Sequence, residues 1–86
     1  MDSYSIVWRS SASRELRAIH KPYLQKIINA VDTLAITPFP HNSRKLQGVE
    51  STYRLRVADY RVIYQIDTAA GFITICHVRH RKEVYR

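Results

Sequence analysis

Residues 53–64, YRLRVADYRVIY, determine the fold predicted for this chain. Apolar side chains at 53, 55 and 57 alternate with Arg54 and Arg56, and a period of two is that of a β-strand with one apolar and one charged face. A tight connection follows, and a second strand is predicted over 61–66. Two strands joined this closely form an antiparallel hairpin, in which Arg54 and Arg56 face away from the core.

The segments on the C-terminal side extend this hairpin. Ala69–Gly71 predicts a turn, and the apolar run Phe72–Val78 predicts a third strand. Three consecutive strands with short turns make an antiparallel meander. Arg79–Arg86 is expected to be a polar, basic tail.

The N-terminal half is predicted to contain one strand and two helices. Ser3–Trp8 alternates as a strand, and Ser10 and Ser11 are N-cap candidates for a helix over Ala12–His20. Pro22 suits the first turn of a second helix, whose apolar stripe lies at 24, 27, 28, 31, 34 and 35. Thr37–Pro40 ends that helix, and His41–Glu50 is expected to be a loop.

The predicted order is therefore β-α-α-β-β-β, an α+β fold in a single domain spanning residues 1–86. The N-terminal strand joins the three-stranded meander, and the two helices form a hairpin. The apolar stripe must be buried, so the helix pair is expected to cover one face of the sheet. The other face, with Arg54 and Arg56, remains open.

The charge of the chain is unusually positive for its 86 residues. Lys and Arg number 14 against 7 Asp and Glu, a net charge of +7 and a pI of about 10.0, and the excess is greater in residues 44–86. Such a domain is attracted to polyanions. The single cysteine, Cys76, excludes an internal disulfide, and no signal peptide or membrane-spanning segment is predicted. A cytoplasmic location in a bacterium or an archaeon is expected.

Several motifs resemble those of the RelE/ParE toxin superfamily over nearly the whole chain. They are RKLQG at 44–48, YRLRVADYRVIY at 53–64, HVRHR at 77–81 and VY at 84–85. The resemblance implies a RelE-like fold, similar to that of compact microbial ribonucleases, and the toxin half of a type II toxin–antitoxin pair. Toxins of the RelE branch cleave mRNA in the ribosomal A site, whereas those of the ParE branch poison DNA gyrase. Both are held inactive by a cognate antitoxin.

The resemblance also implies a set of functional residues. RelE-like toxins carry basic residues at the positions of Arg54, Arg56, Arg61 and Arg79 and a tyrosine at that of Tyr85. The RelE pattern has lysines where Arg54 and Arg56 stand, and an arginine stays protonated, so neither is suited to act as a general base. His80 is a candidate for that role because histidine titrates near neutral pH. The expected general RNA contacts are Arg44, Lys45, Arg81 and Lys82.

The expected reaction is attack of an RNA 2′-hydroxyl on the adjacent phosphate, which needs proton transfer and stabilisation of charge on the phosphorane. Guanidinium groups suit the second task because they bind phosphate oxygens bidentately. Tyr85 is a candidate for stacking on a base or passing a proton. No His, Asp or Glu spacing suggests a metal site, and we predict neither a metal nor another cofactor.

Other interpretations of these residues stay open from sequence. The arginines at 54 and 56 could be a solvated strand face, Arg61 could form an ion pair with Asp59 or Asp67, and Tyr85 could pack beneath the helices. For the whole chain, the alternatives are a gyrase poison without nuclease activity and a non-catalytic nucleic-acid-binding module. The expected partners are mRNA, the ribosome with its rRNA, and an acidic or amphipathic antitoxin that binds the helix stripe or the basic sheet face.

Overall fold

The computed structural model describes residues 3–80, which form two helices and one five-stranded sheet. The elements in chain order are β1 (Ser5–Trp8), α1 (Ser10–Arg17), α2 (Lys21–Leu34), β2 (Ser43–Lys45), β3 (Thr52–Val57), β4 (Tyr60–Asp67) and β5 (Phe72–His80). No helix within residues 3–80 is long and apolar enough to cross a membrane.

The strands lie in the order β1-β5-β4-β3-β2. The predicted antiparallel meander is confirmed as β3-β4-β5, and the N-terminal strand joins it by pairing in parallel with β5. Two expectations were wrong. The expected loop His41–Glu50 contains the short edge strand β2, whose charged residues Arg44 and Lys45 give no apolar alternation. The third strand of the meander also continues past Val78 to His80.

The start of α1 also differs from the prediction. Arg9, rather than a serine, is the N-cap residue, and no side chain caps the helix. Ser11 lies inside α1, where its Oγ donates a hydrogen bond to the Cys76 carbonyl oxygen of β5 at 2.9 Å. The start of α2 agrees with prediction, since Pro22 lies in its first turn, where a missing amide hydrogen costs nothing.

The hydrophobic core lies between the two helices and one face of the sheet. The α2 stripe contributes Ile27, Val31 and Leu34, all fully buried, and they form one cluster with sheet residues such as Leu55 and Val62. Burial of this stripe is the main force that attaches the helices to the sheet. It also means that the stripe is not an exposed surface for an antitoxin, contrary to expectation, whereas no helix of residues 3–80 covers the opposite sheet face.

Tyr64 links the hydrophobic core to Pro38, in the segment that follows α2. Its buried hydroxyl donates a hydrogen bond to the Pro38 carbonyl oxygen at 2.9 Å, and burial raises the pKa of the Tyr64 phenol above its ordinary value. Because the pKa of Tyr64 is higher in the folded than in the unfolded state, its neutral phenol stabilises the fold fully below the unfolded pKa of about 10. This contribution to the free energy of unfolding is lost as the pH rises through the folded pKa.

We therefore expect Tyr64→Phe to lower the free energy of unfolding at pH 7 by about 1–2 kcal/mol, because the Pro38 carbonyl loses its donor. Above pH 10 the wild type should lose stability more steeply with pH than the variant. Urea unfolding between pH 7 and 11 measures both effects, with Tyr23→Phe at an exposed position of α2 as the control. Equal alkaline slopes for Tyr64→Phe and the wild type would contradict the assignment.

An arginine-rich sheet face as candidate nucleic-acid interface

The sheet face opposite the helices carries a row of three arginines. Arg56 of β3 pairs directly with Arg61 of β4, which pairs directly with Arg79 of β5. Directly paired residues of antiparallel strands project to the same side, with Cβ atoms about 4.5–5.5 Å apart. The core residues Val62 and Val78 are the chain neighbours of Arg61 and Arg79 and point the other way, so the three guanidinium groups share the open face.

A second row lies beside the first on the same face. Arg44 of β2 pairs with Arg54 of β3, Arg54 pairs with Ile63 of β4, and Ile63 pairs with His77 of β5. Like charges placed directly opposite each other destabilise a sheet. Two adjacent rows with five arginines therefore cost folding free energy, which an anionic ligand would offset.

A β-bulge places the β5 residues on this face. The β4–β5 register shifts between Ile63 and Tyr64, so that Ile63 pairs with His77 and Tyr64 with Ile75, which leaves Cys76 as the extra residue of β5. Simple alternation from the buried Ile75 would send His77 and Arg79 towards the helices. The bulge reverses this and turns both side chains to the open face.

One pocket of about 340 Å³ on this face is lined by His41, Asn42, Arg44, Arg54, Arg56 and Arg61. Arg61 is only 6% exposed, and its Nη1 atom is 3.5 Å from the Tyr60 carbonyl oxygen, a weak hydrogen bond. Within residues 3–80, neither Asp59 nor Asp67 lies within ion-pair distance of Arg61, so the ion-pair interpretation of Arg61 was wrong. Buried positive charge without a carboxylate partner favours binding of an anion.

Arg79 is held differently from the other arginines. Its Nε donates a hydrogen bond to Glu15 Oε2 of α1 at 3.1 Å, and its Nη2 lies 3.2 Å from His77 Nδ1. Its side chain is nevertheless 42% exposed. Arg79 is thus ordered at one end of the arginine row while remaining accessible to a ligand.

The structure does not bring all of the predicted site residues together. His80 pairs with Tyr60, with its ring 5.4 Å from that of Tyr60, so it lies on the opposite side of the sheet from Arg56, Arg61 and Arg79. Lys45 pairs with Tyr53 and points to the other side of the sheet from the arginine face, the open face that carries Arg44, Arg54, Arg56, Arg61 and Arg79. Among the predicted RNA contacts within residues 3–80, Arg44 therefore lies on this face and Lys45 does not. The predicted residues Arg81, Lys82 and Tyr85 lie outside the described residues.

Two histidines on the arginine side were not predicted as site residues. His41 lines the pocket, and His77 ends the second row. The position of His41 depends on β2, which apolar alternation does not reveal, and that of His77 depends on the bulge. Within residues 3–80, no three His, Cys, Asp or Glu side chains are grouped closely enough to hold a metal ion.

Comparison with known proteins gives a family and a set of similar folds. Residues 6–85 match the family model described as ParE toxin of the type II toxin–antitoxin system parDE. The RelE–RelB complex of the archaeon Pyrococcus horikoshii superposes with a TM-score of 0.84 at 25% identity, over 95% of this chain and 99% of that one. No curated protein matches the sequence significantly.

Two bacterial structures are also similar. The isolated Escherichia coli RelE toxin superposes with a TM-score of 0.80 at 21% identity, over 96% of this chain and 92% of that chain. The E. coli DinJ–YafQ toxin–antitoxin complex gives 0.79 at 14% identity, over 98% and 99%. At these identities the likeness concerns the fold, and it extends over the full sheet and both helices.

Proposed function

The chain belongs to the ParE toxin family of type II toxin–antitoxin systems, within the RelE/ParE superfamily, and from this premise we propose that it is a ribosome-dependent mRNA endoribonuclease. One observation carries the proposal. Arg54, Arg56, Arg61 and Arg79 lie together on an open sheet face, and three of them line one pocket. This arrangement is suited to a phosphate that gains negative charge during a reaction.

The proposed reaction needs no group from outside the RNA and the chain apart from water. The RNA 2′-oxygen loses its proton and bonds to the adjacent phosphorus, the bond from phosphorus to the 5′-oxygen breaks, and the 5′-oxygen takes a proton. The products are a 2′,3′-cyclic phosphate and a 5′-hydroxyl. The arginines stabilise the phosphorane between these steps, because preorganised donors act most strongly where charge develops.

The proposed partners follow from the same face. An mRNA in the ribosomal A site, with the surrounding rRNA, supplies the polyanion, and the site of action is then the cytoplasm of a bacterium or archaeon. A cognate antitoxin is proposed to block the toxin through acidic groups on the arginine face. The similar archaeal and bacterial toxins include ones crystallised with RelB, which supports an antitoxin partner here.

Primer extension on a defined mRNA in a translating extract tests the activity, with the same RNA free of ribosomes as the comparison. We expect cuts at regular codon positions in the translated RNA that depend on the added protein. An intact transcript in both samples, with a folded protein, would contradict the proposal.

A gyrase poison is the second candidate, and the ParE family match favours it. The same positive face would then bind DNA or an acidic surface of gyrase without cutting RNA. Purified gyrase and supercoiled plasmid distinguish the two functions. Accumulation of cleaved plasmid, together with intact mRNA in the extract, would select the gyrase activity.

We expect Arg44→Ala to weaken RNA binding without changing which codons are cut. Arg44 is exposed on the edge strand β2, next to Arg54, where it can contact a phosphate but lies furthest from the Arg61–Arg79 end of the face. Loss of one phosphate contact lowers the slope of log affinity against log salt concentration by about 1. Binding titrations on a short RNA at several salt concentrations measure this slope. Arg14→Ala, exposed on α1, is the matched control, and equal slopes for the two variants would contradict the assignment.

A further inference from the structure

The edge of β5 beyond the end of β1 is closed by side chains of α1. Trp8 pairs with Ile75 as the last residue of β1, so within residues 3–80 the backbone of β5 beyond Ile75 has no strand partner on that side. Ser11 Oγ donates to the Cys76 carbonyl oxygen at 2.9 Å, and one turn later Glu15 Oε1 accepts from the Val78 amide at 2.9 Å. The carboxylate of Glu15 is thereby fixed at the sheet edge.

The same carboxylate contacts two side chains of the arginine face. Glu15 Oε2 accepts from Arg79 Nε at 3.1 Å, and Glu15 Oε1 lies 3.4 Å from His77 Nδ1. His77 Nδ1 also lies 3.2 Å from Arg79 Nη2. Glu15, His77 and Arg79 therefore form one cluster, and both contacts of the imidazole are made by Nδ1.

The chemistry of these partners limits where the imidazole can carry its protons. A guanidinium group only donates and a carboxylate only accepts. In protonated His77, the Nδ1 proton faces Glu15 and Nε2 carries the second proton. In neutral His77, either Nδ1 accepts from Arg79 and the proton lies on Nε2, or the proton lies on Nδ1 and faces Glu15. Protonated His77 therefore presents a donor at Nε2.

We propose that His77 is the general acid of the cleavage reaction and that Glu15 is its positioning residue, because the Glu15 carboxylate stabilises the protonated imidazole at the end of the arginine row. This inference rests on the proposed endoribonuclease function and deepens it. His77 lies in the row of Arg54 and adjoins Arg79 and Arg61 on the same face, which is the arrangement expected for a group that acts beside a bound phosphate.

Each proton that moves in this reaction has a donor and an acceptor. The 2′-hydroxyl proton passes to water as the 2′-oxygen bonds to phosphorus. His77 Nε2 gives its proton to the departing 5′-oxygen as the bond from phosphorus to that oxygen breaks. The remaining proton stays on Nδ1, facing Glu15, and water then restores the proton on Nε2.

Several charged groups lie around His77. Glu15 on α1 and Arg79 on β5 contact its Nδ1 atom, and Arg61 on β4 pairs directly with Arg79. Arg54 lies further along the same row, and Arg9 follows β1, where it donates to Gln65 of β4. Glu15 is the one carboxylate that contacts His77 within residues 3–80.

The decisive experiment compares two RNAs on programmed ribosomes, one ordinary and one with sulfur in place of the 5′-oxygen at the cleavage site. A thiolate leaves without protonation, so a general acid is unnecessary for the second RNA. We expect His77→Gln to cut ordinary RNA about 100-fold more slowly than the wild type, the lower limit for a lost general acid. On the sulfur-substituted RNA we expect it to match the wild type.

Glu15→Gln tests the positioning role. The glutamine oxygen can still accept from the Val78 amide, so the sheet edge is kept while the negative charge is lost. We expect the alkaline limb of the pH–rate profile, where the acid is lost by deprotonation, to move to lower pH in this variant. His20→Gln, at an exposed position before α2, is the matched histidine control and should leave both the rate and the profile unchanged.

Each outcome either supports or overturns the inference. If His77→Gln is equally slow on both RNAs, or as fast as the wild type on ordinary RNA, His77 is not the general acid, although the nuclease function stands. If Glu15→Gln slows cleavage without moving the alkaline limb, its role is only structural, and the assigned positioning role is wrong. If the wild type cuts neither RNA, the proposed function fails and this inference fails with it. Thermal unfolding of each variant separates a lost fold from lost chemistry.

Discussion

Arg61→Ala is expected to reduce ribosome-dependent mRNA cleavage by about 100- to 1,000-fold, the usual effect of removing one preorganised donor from a developing anion. Arg61 is the central member of its row, with Arg56 on one side and Arg79 on the other. It is also the most buried arginine of the face, so its charge acts where water screens it least. Single-turnover cleavage on programmed ribosomes measures the loss.

Two further variants make the Arg61 result interpretable. Arg61→Lys keeps the charge but loses the planar pair of donors, and we expect an intermediate rate. Arg17→Ala removes one positive charge from an exposed position of α1 and should cut at the wild-type rate. In Arg61→Ala, the packing of the Arg61 side chain is lost, but so is its repulsion from Arg56 and Arg79. Because these two effects oppose each other, the free energy of unfolding of Arg61→Ala should stay near that of the wild type. An Arg61→Ala protein that is folded and fully active would contradict the proposed role of the arginine face.

Ile27→Ala is expected to lower the free energy of unfolding by about 2–5 kcal/mol, the range for truncating a large core side chain to alanine. Ile27 is 0% exposed and lies in the middle of the α2 stripe against the sheet. At the usual stability per residue, 86 residues correspond to roughly 4–13 kcal/mol in total. This single change should therefore remove a large part of it, and urea unfolding monitored by the fluorescence of Trp8 measures the difference.

Ile36→Ala is the matched control for the core variant. The side chain of Ile36 is 71% exposed just beyond α2, so the same truncation removes little buried surface. We expect a change within about 0.5 kcal/mol, as for most surface substitutions. Similar losses for the two isoleucines would mean that α2 does not pack on the sheet as described.

The α2 stripe and the β3–β4 hairpin could be predicted from sequence because each follows a single period. Apolar residues spaced by three and four predicted the buried side of α2, and strict alternation predicted that Arg54 and Arg56 point away from it. Strand β2 could not be predicted in this way. Its three residues are held by pairing with β3, a tertiary interaction that leaves no periodic pattern in SRK.

Periodicity also failed to predict which face of the sheet the side chains at the end of β5 occupy. One extra residue, Cys76, exchanges the two faces for everything after it, so His77 and Arg79 lie with the arginines and His80 lies with the core. The family resemblance pointed to Arg79 by position, but it gave no reason to prefer His77 to His80. Glu15 was missed for a related reason, since its partners are more than 60 residues away along the chain.

The parallel pairing of β1 with β5 has a consequence for how the chain acquires its fold during synthesis. Ser5 pairs with Phe72 and Trp8 with Ile75, so β1 has no partner strand until β5, more than 60 residues later, has been made. Contacts between such distant segments form late and slow the folding of a nascent chain. The arginine row itself requires Arg79 beside Arg61, so it is assembled only after residue 79 has emerged. A growing polypeptide therefore carries no complete set of these arginines, and the proposed antitoxin has until that moment to reach it.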